Sequence, residues 1–365
     1  MTWIIRKKCI FCDTELNKTY FETDKLAYVG HYAVDTSLNK KNMYEVPYNI
    51  CVCEECKTPQ LKYLADINEV YKINHADGTG NIMRTLHEKN VSMILKHKSN
   101  INNIIEVGSS KGILADLILN ELDTKYYIVE PYFFGDKTNK IIISDFYENV
   151  DDNKIDANTI IISHVFEHFY NPIEILIKIR DNQNIENLFL VFPDLEYYVN
   201  NSVLHLLNTE HTFYIDNNFI VDLFYNYGFE IVDKVNHENH SVLFYFKKIK
   251  GESSPRKLLN KNYNLETFFS DINETVKNYN YIAANKGNKK VFLWPASIHT
   301  LFLLIFGLEE KNIDGFLDNS ENKIGKKMYG TDLLVYDYKK MVNNDDYIIL
   351  KNGGVFNKEL NFKNL

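Results

Sequence analysis

Residues 208–215, NTEHTFYI, set Glu210 and His211 side by side, with Tyr214 three positions beyond His211 and an apolar run close behind. An acid next to an imidazole is either a decoration of a helix start or the acid–base end of an active site. The helix expected from DNNFIVDLFYNYGF (216–229) already has Asp216 as its N-cap, so the pair is not needed for capping. A second polar group lies in SHVFEHFYNP (163–172), where His164, Glu167 and His168 follow a β-branched stretch. A third is sulfur: all five cysteines fall within the first 56 residues, as CIFC (9–12) and CVCEEC (51–56). The pairs Cys9/Cys12 and Cys53/Cys56 each set two thiolates on one tight knuckle, and two such knuckles close a tetrahedron around zinc with no open position. The expected ligands of a structural Zn2+ are therefore Cys9, Cys12, Cys53 and Cys56, with Cys51 as the spare.

The elements that must position these groups are legible as a series of strand ends. IIEVGSSKGILADLI (104–118) reads as a strand, a glycine turn and an amphipathic helix, with the pattern E-x-G-x-x-x-G at Glu106, Gly108 and Gly112 and with Ser109 inside the turn. A dinucleotide fold would require G-x-G-x-x-G, so that a pyrophosphate reaches the helix N-terminus. Here the middle glycine is missing and an acid precedes the turn, which favours S-adenosylmethionine, a donor with a cationic end and no phosphate. The next strand, KYYIVEP, ends in Glu130 and Pro131, where a carboxylate can accept both ribose hydroxyls. KIIISDF ends in Asp145 and Phe146, suited to the adenine amino group and ring face, and ANTIIISHVFEHFYNP delivers Ser163, His164 and His168. Each strand thus presents its polar residue at its carboxyl end, where open α/β sheets bind ligands.

Bulk properties narrow the partners. A chain of 365 residues suggests two or three domains, and 41 Lys+Arg against 49 Asp+Glu gives a net charge of −8 without a basic block, which argues against nucleic acid. The longest apolar run, VFLWPASIHTLFLLIFGL (291–308), is interrupted by Pro295 and His299 and reads as strand, turn and helix rather than a membrane span. MTWIIRKKCIF has its charges after its apolar residues, unlike a signal peptide, so a cytoplasmic location is expected.

The order of these parts resembles the zinc-containing, S-adenosylmethionine-dependent sugar C-methyltransferases, which act on nucleotide-linked 4-keto-deoxysugars. The resemblance covers nearly the whole chain: both C-x2-C knuckles, DGTGNIMRTLH (77–87), the glycine turn, SHVFEHFYNP, LVFPDL (190–195), TEH, and a C-terminal strand–turn–helix unit. It implies that Tyr71 and Thr79 belong to a segment folding over the methyl donor, that His164 and His168 line the transfer site with Glu167 structural, and that His211 is the base. Glu210 would orient that imidazole, and Tyr214 would donate to the substrate. His75 and Asn208 stand where the family has tyrosine, and Trp294, Pro295, Ala296 and Ser297 replace most of the glycines of its C-terminal turn.

The expected architecture is α/β in three parts: a zinc-binding domain (1–75), a Rossmann-like methyltransferase domain (76–250) and a smaller Rossmann-like α/β domain (251–365) that helps hold a nucleotide-sugar. KKIKGESSPRKLLNKNYN (247–264) reads as the charged linker before the third part. The expected reaction is methyl transfer to a ring carbon after proton abstraction. The alternatives are an O-methyltransferase on a sugar or related metabolite, or a non-catalytic member of a polysaccharide assembly complex.

Overall fold

The β-branched and aromatic runs of the middle of the chain form strands buried on both faces, as a parallel sheet covered by helices requires. The computed structural model of the protein describes residues 3–27, 33–34, 36–37, 45–71, 81–251, 254–341 and 345–352. Thr79 and His75 lie outside the described residues. No described helix is long and apolar enough to cross a membrane.

The N-terminal part consists of β1 (Trp3–Ile5), β2 (Lys18–Ala27), β3 (Ala33–Val34), β4 (Glu45–Val52), β5 (Pro59–Leu61) and β6 (Tyr63–Ala65). β2, β4 and β5 form an antiparallel sheet, with β2 and β4 between the two cysteine knuckles in sequence and β5 just after the second, and β1 pairs with β6.

The central sheet is built from β7 (Ile104–Val107), β8 (Tyr126–Val129), β9 (Lys140–Ile143), β10 (Thr159–Ser163), β11 (Asn187–Pro193), β12 (Phe229–His237) and β13 (Ser241–Lys248). Their order is β12-β13-β11-β10-β7-β8-β9; β7 to β11 run parallel, while β13 is antiparallel to both β11 and β12. The chain steps outward from β7 through β8 to β9, then crosses back to β10 on the other side of β7. That reversal leaves the carboxyl ends of β7 and β10 unobstructed by a crossover, which is where a ligand crevice forms in such sheets. The helix Asn217–Asn226 is capped by Asp216, whose carboxylate accepts the N–H groups of Asn218 and Phe219 at 3.0 and 2.9 Å, as expected from the sequence.

The C-terminal part holds β14 (Lys290–Trp294), β15 (Gly315–Asp318), β16 (Lys327–Met328), β17 (Val335–Asp337) and β18 (Tyr347–Lys351). Four of these make a parallel sheet in the order β17-β15-β14-β18, and β16 pairs with β3 of the N-terminal part. One apolar core joins all three parts, taking Tyr48 and Ile50 from the first, Leu204 and Tyr214 from the second, and Phe268 and Phe302 from the third. The charged stretch expected to be a linker is also fastened. Asn260 is buried: its N–H donates to Cys56 O (2.9 Å), its amide donates to Thr58 Oγ1 (3.0 Å), and its Oδ1 accepts Asp216 N–H (2.8 Å). In a stretch expected as a linker, one buried asparagine thus makes a strap between the knuckle and the helix cap at Asp216.

Candidate active site

At the end of β7 the chain turns on Gly108 with φ +71°, a left-handed conformation that glycine adopts without a steric penalty. A Cβ there would lie 2.4 Å from Val165 Cγ2. Gly112, at φ +76°, starts the following helix Ile113–Leu119. Across the turn, at the end of β8, the Glu130 carboxylate accepts the N–H groups of Ser110 (3.0 Å) and Tyr132 (3.1 Å), one on each oxygen. These two bonds fix the carboxylate while leaving lone pairs on both oxygens.

The crevice encloses a cavity of about 320 Å3. Of the residues expected at the cofactor and transfer site, Tyr71, Gly108, Glu130, Pro131, Phe146, His164, His168 and Glu210 line it. Glu106 and Gly112 stand behind the wall, as do Ser109 and Ser163, and none of the four lines the cavity. Glu106 points into the protein, where it accepts the Tyr126 hydroxyl at 2.8 Å and burial pushes its carboxyl up to about 7. Asp145 is occupied in its own turn, accepting from Phe146 N–H and Asn149 Nδ2, both at 2.8 Å. Sequence reasoning did not single out Val165, Tyr147 or Glu148, which also line the cavity. Val165 is the one with a readable signal, since it sits inside the quoted HVFEH stretch.

The polar end of the cavity gathers side chains from three segments. The Tyr71 hydroxyl lies 2.8 Å from His168 Nδ1, and Glu210 Oε2 lies 3.6 Å from the same nitrogen. His211 stands behind His168, ring to ring at 5.0 Å, and lines a small adjoining cavity together with Glu167 and Tyr214. Glu167 Oε1 is 3.2 Å from His164 Nδ1 and 3.9 Å from His211 Nε2. The carboxylate–imidazole pairing therefore differs from the sequence expectation: Glu210 faces His168, and Glu167 faces His211. The cause is local backbone geometry, because residues 208–212 are neither helix nor strand and neighbouring side chains diverge. Thr212 locks this segment to the 166–169 turn, its N–H donating to Glu167 O (2.8 Å) and its hydroxyl to Phe169 O (2.7 Å). Asn208 lines the main cavity and its Oδ1 accepts Glu210 N–H at 2.9 Å. Tyr214 is buried behind the site, beside Tyr48, and burial raises its hydroxyl above the ordinary tyrosine range.

The cysteines form a second centre. Cys9 Sγ and Cys56 Sγ are 3.4 Å apart, as are Cys12 Sγ and Cys53 Sγ, and all four sulfurs lie within 4.8 Å of one another. The knuckles repeat the same local fold. Cys9 N–H donates to Thr14 O and Asp13 N–H to Cys9 O at 2.8 and 3.0 Å; Cys53 N–H donates to Thr58 O and Lys57 N–H to Cys53 O, both at 3.0 Å. Asp13 and Lys57 both sit at φ +60°. Four thiols converging from two equivalent turns have the donor type and number of a closed tetrahedral zinc site, for which Zn–S bonds of about 2.3 Å place sulfurs a little under 4 Å apart. Cys51 stays outside the group and donates to Asn49 Oδ1 at 3.1 Å. The knuckle part also braces the other centre: Tyr214 N–H donates to Pro59 O (2.9 Å), Leu61 N–H to Thr212 O (3.0 Å), and Arg6 Nη1 to Thr212 O (2.6 Å).

Residues 79–234 match a family model described as a methyltransferase domain. No curated protein matches the chain significantly. Among solved structures, the chain is similar to 1,6-didemethyltoxoflavin-N1-methyltransferase of Burkholderia thailandensis, with bound 1,6-didemethyltoxoflavin and S-adenosylhomocysteine, at 9% identity over 56% of this chain and 96% of that one (TM-score 0.39). It is also similar to the N-methyltransferase NodS of Bradyrhizobium japonicum (8% identity, 47% and 99% covered, TM-score 0.36). A third is the magnesium protoporphyrin IX methyltransferase of Synechocystis with bound S-adenosylmethionine (10% identity, 49% and 89% covered, TM-score 0.35). The family match covers β7 to β11, the parallel strands that carry the crevice: the protein is an enzyme with an S-adenosylmethionine-dependent methyltransferase domain in this part of the chain.

Proposed function

We propose that the protein methylates a ring carbon of a nucleotide-linked 4-keto-deoxysugar, with His211 taking the acceptor proton and a structural zinc ion held by Cys9, Cys12, Cys53 and Cys56. The observation that carries this reading is that one cavity is lined both by Gly108 and Glu130 and by His164, His168 and Glu210. Bound S-adenosylmethionine would supply an activated methyl group. Glu130, with lone pairs remaining on both fixed oxygens, would receive ribose hydroxyls, and Phe146 would cover the adenine. A carbon beside a ketone releases its proton reluctantly, so a base within reach and donors for the enolate are both required. His211, with a side chain 14% exposed and next to His168, is the candidate base, and Tyr71 and His168, 2.8 Å apart, would face the enolate oxygen. Holding the acceptor carbon about 3 Å from the methyl would remove much of the entropic barrier.

A second reading, O-methylation of a sugar hydroxyl, is favoured by Asn208, which puts an amide in the cavity wall where the resemblance expects a phenol. Incubation with 4-keto-deoxysugar nucleotides in deuterated buffer separates the two. Carbon methylation predicts deuterium entering beside the ketone even without methyl donor, and loss of that exchange and of turnover in His211→Ala with S-adenosylhomocysteine affinity within about threefold of wild type. Absence of exchange together with a methyl ether product would establish O-methylation instead.

A further inference from the structure

Glu167 is 1% exposed, and among the described residues its Oε2 has no hydrogen-bond partner. Among the described residues its ion-pair partners are two imidazoles, His164 at 3.2 Å and His211 at 3.9 Å, both from Oε1. Beyond His164 the contacts continue in one line: its Nε2 is 2.8 Å from Ser241 Oγ, and Ser241 Oγ is 2.6 Å from His240 Nδ1. His164 itself is held at φ +53°, a conformation that a non-glycine residue keeps only when its surroundings fix it.

The geometry points to Glu167 as the positioning carboxylate of His211, with its hydrogen bonding set from outside by His240 and Ser241 through His164. This deepens the reading in which His211 accepts the acceptor proton, and rests on it. The bond directions follow for an ionised Glu167 and a neutral His164: the carboxylate can only accept, so His164 carries its hydrogen on Nδ1 and presents a lone pair on Nε2. The single hydroxyl proton of Ser241 then goes to that lone pair, and Ser241 Oγ in turn accepts from His240 Nδ1–H. His240 is suited to this neutral donor role, because burial pushes it well below the ordinary histidine range. All donors therefore point inward to Glu167.

The consequence falls on His211. When the acceptor C–H bond breaks, its electron pair stays on the enolate and its proton goes to the imidazole. The resulting cation sits beside Glu167 Oε1, which stabilises and orients it, as a buried carboxylate does for the imidazole of a hydrolytic triad. Glu167, His164, Ser241 and His240 keep their protons throughout. Among the described residues, the groups facing His211 also include His168 (rings 5.0 Å apart), Tyr214 (6.2 Å), and Tyr198 and His205 across the small cavity, with Glu210 on its own segment.

The test is an NMR titration of the full chain labelled with 15N at its 11 histidines, His211 being assigned by its loss in His211→Asn. Glu167→Gln is expected to lower the His211 pKa by about one unit or more, the effect of removing an opposite charge within about 4–6 Å. Ser241→Ala is expected to leave His164 protonated on Nδ1, where the carboxylate holds the hydrogen, and to shift its Nε2 15N resonance as the hydrogen bond from the serine is lost. His240→Ala should follow Ser241→Ala, whereas His240→Asn, which keeps an N–H donor near the Nδ1 position, should restore wild-type behaviour. A His211 pKa unmoved by Glu167→Gln, or a His164 Nε2 resonance unmoved by Ser241→Ala, overturns the wiring. Retained turnover in His211→Ala would instead overturn the base assignment, and the titration reads the wiring separately from turnover.

Discussion

Gly108→Ala adds one methyl group at the floor of the crevice, and its cost follows from two local facts. The residue sits at φ +71°, and the new Cβ would stand 2.4 Å from Val165 Cγ2 and 3.2 Å from Cγ1. An L-residue in the left-handed region costs about 1–2 kcal/mol, and overpacking against a stiff β-branched neighbour adds roughly 1–3 kcal/mol. The sum, about 2–5 kcal/mol, corresponds to roughly 30-fold to several thousand-fold in an equilibrium constant. Part of it will appear as lost stability in urea denaturation. Part will appear as lost affinity for S-adenosylhomocysteine in calorimetry, because Val165 can yield only by moving into the cavity that it lines. The two components separate in a double-mutant cycle: in a Val165→Ala background the steric part disappears and the backbone part of about 1–2 kcal/mol remains. If Gly108→Ala is as stable as wild type and binds as tightly, or if Val165→Ala gives no relief, then the turn does not hold the cofactor as described.

Two further outcomes are expected. Cys9→Ser should reduce zinc, measured by plasma mass spectrometry, from one ion per chain to none, and should speed hydrogen exchange at residues 212–214, whose backbone is bonded to Pro59 and Leu61; an unchanged metal content would refute the four-thiolate site. Glu106→Gln should stabilise the protein at alkaline pH. The wild-type carboxyl is raised to about 7 in the fold, so between its unfolded value and 7 the folded state binds more protons and stability falls as pH rises. Replacing it with a neutral amide should remove that slope, a gain of roughly 3 kcal/mol above pH 8, and parallel urea curves for variant and wild type from pH 5 to 8.5 would show the slope lies elsewhere.

Sequence alone determined what is local. Strand ends, the glycine turn, the Asp216 cap and the two C-x2-C knuckles each depend on residues within a few positions of one another, so backbone preferences and spacing suffice to read them. The parallel strands β7 to β10 and the crevice at their ends followed from the same repeated strand–turn–helix pattern, whereas the antiparallel β12 and β13 did not. Tertiary structure decided which carboxylate meets which imidazole. Glu210 precedes His211 in the chain, yet Thr212 ties the irregular 208–212 segment to the 166–169 turn, and Glu167, 44 positions away from His211, takes that place while Glu210 faces His168. It likewise turned a stretch of linker composition into a strap through Asn260, and turned Glu106 inward to Tyr126. Where chain conformation is irregular, side-chain direction is fixed by long-range packing and hydrogen bonds, and those partners have no signature in the spacing of the sequence.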